Sequence, residues 1–189
     1  MKKLFFVASF ALVVNVSTSQ TTTILPEQTI SNEQLIYISQ LTIQPIDYNL
    51  VQREFIQLFN EYRKQNNLLP VSYDSNVQIA TDFHVNYMSS YDILTHENPT
   101  ANCTRYKDRI YELTNITHEI TASGECCLQV DAFFLNYIYK SYANGILESW
   151  KQSPGHNKIL IDPAVTKIGI SVCRLDSYSK IYACLILIN

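Results

Sequence analysis

The sequence predicts a mixed α/β domain, and three observations lead there. Stretches of helical period open the domain from Tyr48 onward, and two apolar runs, Lys167 to Cys173 and Ile181 to Ile188, close it. Both runs are apolar almost throughout, as in strands covered on two faces. With 189 residues, 47% of them hydrophobic and 16% charged, the chain is large enough for one such domain, placed at residues 47–189, and its buried core.

What precedes the domain reads differently. Lys2 and Lys3, the apolar run Leu4 to Val14 and the small polar residues Ser17, Thr18 and Ser19 have the layout of a secretory signal peptide over residues 1–19. The run is shorter than the roughly 20 residues a membrane-spanning helix needs, and no other segment offers a span. A secreted, extracellular protein is therefore expected. Residues 20–46, rich in Thr, Gln, Ile and Ser and bracketed by Pro26 and Pro45, read as an extension or linker with one short helical patch at Asn32 to Leu41. The formal charge is −3, and no basic block is interleaved with aromatics, so nucleic acid is not an expected partner.

Within the domain the first helix carries Val51, Phe55, Leu58, Phe59 and Tyr62 on one face, with Gln52, Glu54, Gln57, Glu61 and Lys64 elsewhere. It ends at Asn66-Asn67. A second helix, Asn76 to Ser89, is cued by Val77, Ala80, His84, Tyr87 and Met88. His84 falls on that apolar face, where a packed, hydrogen-bonded histidine is the ordinary outcome. His96 follows in a break before the turn-forming Glu97-Asn98-Pro99. His118, among polar loop residues, is expected in solvent. From Val130 to Gln152 a long helical stretch carries Phe133, Phe134, Tyr137, Ile138, Tyr142, Leu147 and Trp150, with a break expected at Asn144-Gly145 because glycine costs a helix about 1 kcal/mol relative to alanine. Ser153-Pro154-Gly155 then stops the helix, so that His156 sits just past its end on a turn.

Five cysteines in an exported chain are candidates for disulfides, and the odd number leaves at least one unpaired. A hairpin between the two apolar runs would set Cys173 opposite Cys184, which gives one expected bridge. Adjacent Cys126 and Cys127 rarely bond each other, so one of them is expected to join Cys103.

The stretch Trp150-Lys151-Gln152-Ser153-Pro154-Gly155-His156, followed by Ile159-Leu160, resembles the W-x-x-S-P-G-H-x-x-I-L signature of the CAP superfamily, the cysteine-rich secretory, antigen 5 and pathogenesis-related proteins, in its bacterial form. Further matches are Asn60, Arg63, Leu68 and Pro70 with Val71, the step Leu94-Thr95-His96, Arg109-Ile110, and Gly124-Glu125. There are departures. Ala80 and His84 stand one residue further apart than in the family's A-x-x-H-A, Cys126 replaces the asparagine of G-E-N, and Ser153 occupies the place of a second cleft glutamate.

The resemblance implies a three-layer α/β/α sandwich with His96, Glu125 and His156 in a central cleft. It also implies that His96 and His156 can hold a divalent metal such as Zn2+, for which imidazoles and a carboxylate are fitting donors. Two functional classes are compatible with it. One is a binding module for a lipid-like, apolar ligand or an extracellular protein partner. The alternative is a metal-dependent hydrolase with Glu125 as general base and the histidines as ligands. The incomplete acidic set favours the binding class. A serine nucleophile at Ser153 is a weaker third reading, since no G-x-S-x-G elbow surrounds it.

Overall fold

The computed structural model describes residues 46–132, 135, 141–175 and 180–189. The expected signal peptide, the helical patch at Asn32 to Leu41 and several residues of the expected helix after Val130 lie outside them. In chain order the elements are α1 (Tyr48–Gln65), β1 (Ser72–Tyr73), α2 (Ser75–Tyr91), a 3-10 turn (Thr100–Asn102), α3 (Tyr106–Leu113), β2 (Ser123–Asp131), α4 (Tyr142–Lys151), α5 (Pro154–Leu160), β3 (Lys167–Leu175) and β4 (Lys180–Ile188).

The four strands form one sheet in the order β1-β3-β4-β2, with β1 parallel to β3 and the other pairs antiparallel. Because strand side chains alternate between faces, β4 serves two cores. Ile181, Ala183, Leu185 and Leu187 pack with Phe55 and Phe59 of α1 and Trp150 of α4. Tyr182, Cys184, Ile186 and Ile188 pack with Val77, Ala80 and Met88 of α2 and Ile110 of α3. Helices thus cover both faces, and the three-layer sandwich expected from the resemblance is the fold found. On the α2 face the layers close tightly at Gly169 of β3, where a Cβ would come within 2.6 Å of the Val77 backbone.

Local chemistry sets the helix ends. Asp47 accepts a hydrogen bond from Leu50 N, Asp74 accepts from Asn76 N and Val77 N, and Ser141 accepts from Asn144 N, each satisfying amides that a helix N-terminus leaves free. The motif residues after α1 act as staples. Asn60 exchanges two hydrogen bonds with Val71, at 2.9 and 3.0 Å. Arg63, fully buried, donates to the carbonyls of Leu69, Leu160, Asp162 and Val165, tying the end of α1 to the loop before β3.

Several expectations are corrected. Val130 belongs to β2, and α4 begins only at Tyr142 and runs through Asn144-Gly145 without a break; the helix boundary is the Ser141 cap. Ser153-Pro154-Gly155 ends α4 but also starts α5, with Ser153 as N-cap and Pro154 in the first turn, where its missing N–H costs nothing, so His156 is a helical residue. The β3/β4 register pairs Cys173 with Tyr182 and sets Cys184 against Ser171, so the expected Cys173–Cys184 bridge is not formed across this hairpin. All five cysteines are free thiols, Cys103 included, whose sulfur lies 3.2 Å from the Ala101 carbonyl.

Candidate functional site

Beside β2, at the edge of the described sheet, lie residues from both helical layers. Glu125 enters from β2, on the face turned to α2, and is 5% exposed. Its Oε1 meets Nδ1 of His96 at 2.9 Å, and its Oε2 accepts from Nη2 of the fully buried Arg109 of α3. Nη1 of Arg109 points to three carbonyls, those of His96, Cys103 and Thr104, at 3.3 to 3.5 Å. One guanidinium therefore fixes both the carboxylate and the loop that carries His96. Burial alone would raise the Glu125 pKa, but the hydrogen bond from His96 and the charge of Arg109 outweigh it, and the carboxyl is held below its ordinary value. With both oxygens committed and its basicity reduced, Glu125 is poorly suited to be a general base.

His96 keeps a third of its side chain in solvent. Since Nδ1 is spent on Glu125, Nε2 is its remaining nitrogen, in the carboxylate–histidine arrangement that orients metal-binding imidazoles. His156, on α5, is 4% exposed; its ring lies edge-on to Trp150, with centroids 6.4 Å apart. Both of its ring nitrogens are buried without a hydrogen-bond partner. Burial, with a smaller contribution from nearby His96, lowers its pKa to about 4, so the ring is neutral at neutral pH. Of the three residues expected together, His96 and Glu125 are in direct contact, while His156 packs against Trp150 and feels His96 only through its charge. His118 is exposed, as expected.

His84 is fully buried on α2, and its Nε2 lies 2.8 Å from the Thr95 carbonyl. That contact requires Nε2 to carry the proton, because a carbonyl only accepts. Nδ1 is buried and unpartnered. Burial lowers the His84 pKa to about 4. Sequence reading took Arg109 only as a motif step and did not bring Cys127 or Cys184 near the cleft. The neighbouring Cys126 and Cys127 alternate across β2, one facing each core, and Cys127 stands directly opposite Cys184 of β4. Two surface hollows, of about 450 Å³ beside α1 and about 550 Å³ beside α5, include none of His96, Glu125 and His156. No helix among the described residues is long and apolar enough to cross a membrane.

Comparison with known proteins bears on the fold and the family. Solved structures of the same fold include an outer surface protein of Borrelia burgdorferi (TM-score 0.62, 16% identity, covering 77% of this chain and 97% of that one). They also include an extracellular SCP-domain protein of Bacillus anthracis (TM-score 0.57, 19% identity, 89% of this chain and 47% of that one) and a cysteine-rich secretory protein of Staphylococcus aureus (TM-score 0.53, 16% identity, 76% and 40%). This chain spans less than half the length of the latter two. No curated protein matches the sequence. The pattern of the cysteine-rich secretory protein family, CAP, matches residues 56–186, and the chain belongs to that family.

Proposed function

We propose that this CAP-domain protein is secreted and works by binding an amphipathic, lipid-like ligand at the His96 cleft, not by hydrolysis. The observation that carries this reading is the state of Glu125: both carboxylate oxygens are committed, to His96 and to Arg109, leaving the cleft without a free general base. The chain entering the cleft supports the apolar half of the ligand. Tyr91 is 70% and Ile93 43% exposed, three to five residues before His96, and Tyr91 lies against Tyr87 with ring centroids 4.9 Å apart. An apolar surface beside a single oriented imidazole suits a molecule with a long apolar body and one polar group.

Saturable binding of a fluorescent fatty acid or sterol analogue to the purified chain is expected, weakened about tenfold by Tyr91→Ser with Ile93→Ser through lost apolar contact. Turnover of ester or peptide substrates that disappears in His96→Ala would sink the proposal.

One observation favours the second reading, a metal-dependent hydrolase. His156, whose pKa is influenced by the charge of His96, has two buried, unpartnered nitrogens, and such atoms are costly unless something binds them. The residues fit a divalent ion: His96 through Nε2 and His156 through one ring nitrogen would hold it. The ion would supply Lewis acidity and a water of lowered pKa. In that setting Glu125 orients His96, and Arg109 keeps Glu125 ionised.

A further inference from the structure

On the α2 side of β2 lies a second set of metal-ligating side chains, which shares Glu125 with the site above and adds His84 and Cys127, used by neither reading. A ring nitrogen of His84, a carboxylate oxygen of Glu125 and the sulfur of Cys127 lie within 4.8 Å of one another, all buried. We propose that His84, Cys127 and Glu125, with Cys184 as the fourth donor, form a sulfur-containing site for a zinc-class divalent cation, distinct from the His96/His156 pair.

Four observations support the site independently of the family pattern. First, His84 is pre-set as a ligand: Nε2–H donates to the Thr95 carbonyl, which fixes the tautomer and leaves the Nδ1 lone pair buried with no partner. An imidazole whose other nitrogen donates to a carbonyl is the usual outer arrangement of a metal-bound histidine. Second, a second thiol is at hand. Cys184 faces Cys127 in the β2/β4 ladder, and its sulfur is 3.7 Å from Glu125 Oε2. Two sulfurs, an imidazole and a carboxylate are a borderline-soft set that selects Zn2+ over Mg2+ or Ca2+.

Third, the charges balance. With both thiols ionised, two thiolates and Glu125 oppose Arg109 and a divalent ion, leaving the buried cluster neutral; with the metal absent the thiols stay protonated and Arg109 pairs with Glu125, again neutral. Each thiol that binds releases one proton to solvent. Fourth, there is a way in. His96, one-third exposed, bonds Glu125 and has Nδ1 3.6 Å from the Cys127 sulfur, so it stands between the cluster and solvent. Metal–ligand distances of about 2.0 to 2.3 Å place tetrahedral donors roughly 3.5 Å apart, so the three donors within 4.8 Å of one another need shifts of about an ångström, and Cys184, outside that trio, must turn further to join them.

The test is a cobalt(II) titration of the purified, fully reduced chain under anaerobic conditions, followed by absorbance. A sulfur-to-cobalt charge-transfer band in the near ultraviolet requires a thiolate ligand, which the His96/His156 pair does not have. The band is expected to saturate at one cobalt per chain and to survive His156→Ala. It should fall to the one-thiolate level in Cys127→Ser and vanish in Cys127→Ser with Cys184→Ser, near-isosteric changes whose folding circular dichroism checks. Absence of the band at saturating cobalt, its persistence at full strength in Cys127→Ser, or its loss in His156→Ala would each overturn the proposal. Failure here leaves the ligand-binding reading untouched, since lipid-analogue binding is measured without metal.

Discussion

Replacing Arg109 by methionine removes a buried cation and leaves Glu125, 5% exposed, with His96 and the Cys184 thiol beside it and no permanent charge to balance it. Breaking a buried ion pair from one side costs about 3 to 5 kcal/mol, because the remaining charge has no compensation. The three carbonyl contacts of Nη1, at 3.3 to 3.5 Å, are long and add little to that figure. Most of the loss should therefore be electrostatic. Glu125→Gln in the Arg109→Met background removes the stranded charge and should recover about half of it, although each substitution alone destabilises. The same cause sets a pH signature. Glu125 now has a lowered pKa; without Arg109 that pKa rises, so the penalty of Arg109→Met should shrink as the pH falls from 7 to 5 and Glu125 takes up a proton. Urea unfolding of the four proteins at both pH values measures all of this. A cost under about 1 kcal/mol for Arg109→Met, or a double variant no more stable than that single one, would refute the argument that the guanidinium stabilises chiefly by neutralising Glu125.

Acid should unfold the domain through its buried histidines. His84 and His156 have pKa values of about 4 when folded and about 6.5 when unfolded, so the stability they contribute is complete above pH 6.5 and is lost as the pH falls from there towards 4, by about 3 kcal/mol for each. Thermal unfolding between pH 7 and 4 checks this, and a flat profile would show both rings titrating normally. Trp150→Ala, which empties a fully buried indole site against Phe55, should cost about 3 to 5 kcal/mol in chemical denaturation, whereas His156→Ala, which removes a ring with two unsatisfied nitrogens, should cost less than half as much. Equal losses would make His156 a core residue like any other.

The parts of the fold that could be read from the sequence are those where the local pattern is also the tertiary one. The face Val51, Phe55 and Phe59 is buried as its period implies, and the apolar runs at the end of the chain are strands covered on both faces. Short motifs pointed to His96 and Glu125, which the structure brings into contact, and to His156, which it sets on α5 against Trp150. Strand register was not legible. The hairpin between β3 and β4 pairs Cys173 with Tyr182, and a shift of two residues, invisible to periodicity, is enough to undo a bridge. Val130 was misread because a short apolar stretch suits a buried strand as well as a helix. Gly145 carried too much weight as a breaker, since tertiary packing on α1 holds α4 through it. The partnership of Arg109 with Glu125 joins residues 16 apart on different elements, and local spacing does not encode such a contact.

The position of β4 has a consequence for how this chain reaches its fold. It is the last described element in chain order, yet it lies between β3 and β2 and supplies apolar side chains to both cores. A chain growing from its N-terminus completes α1, α2 and α4 before the strand on which they rest has been made. Their apolar faces then have no permanent surface to cover and must wait, exposed or held by something else, until β4 has been made. Closure depends on contacts between distant parts of the sequence, which makes folding slow relative to domains built from local contacts and leaves it vulnerable to aggregation meanwhile. Cooperativity should be high, because the strand that completes one core completes the other in the same step.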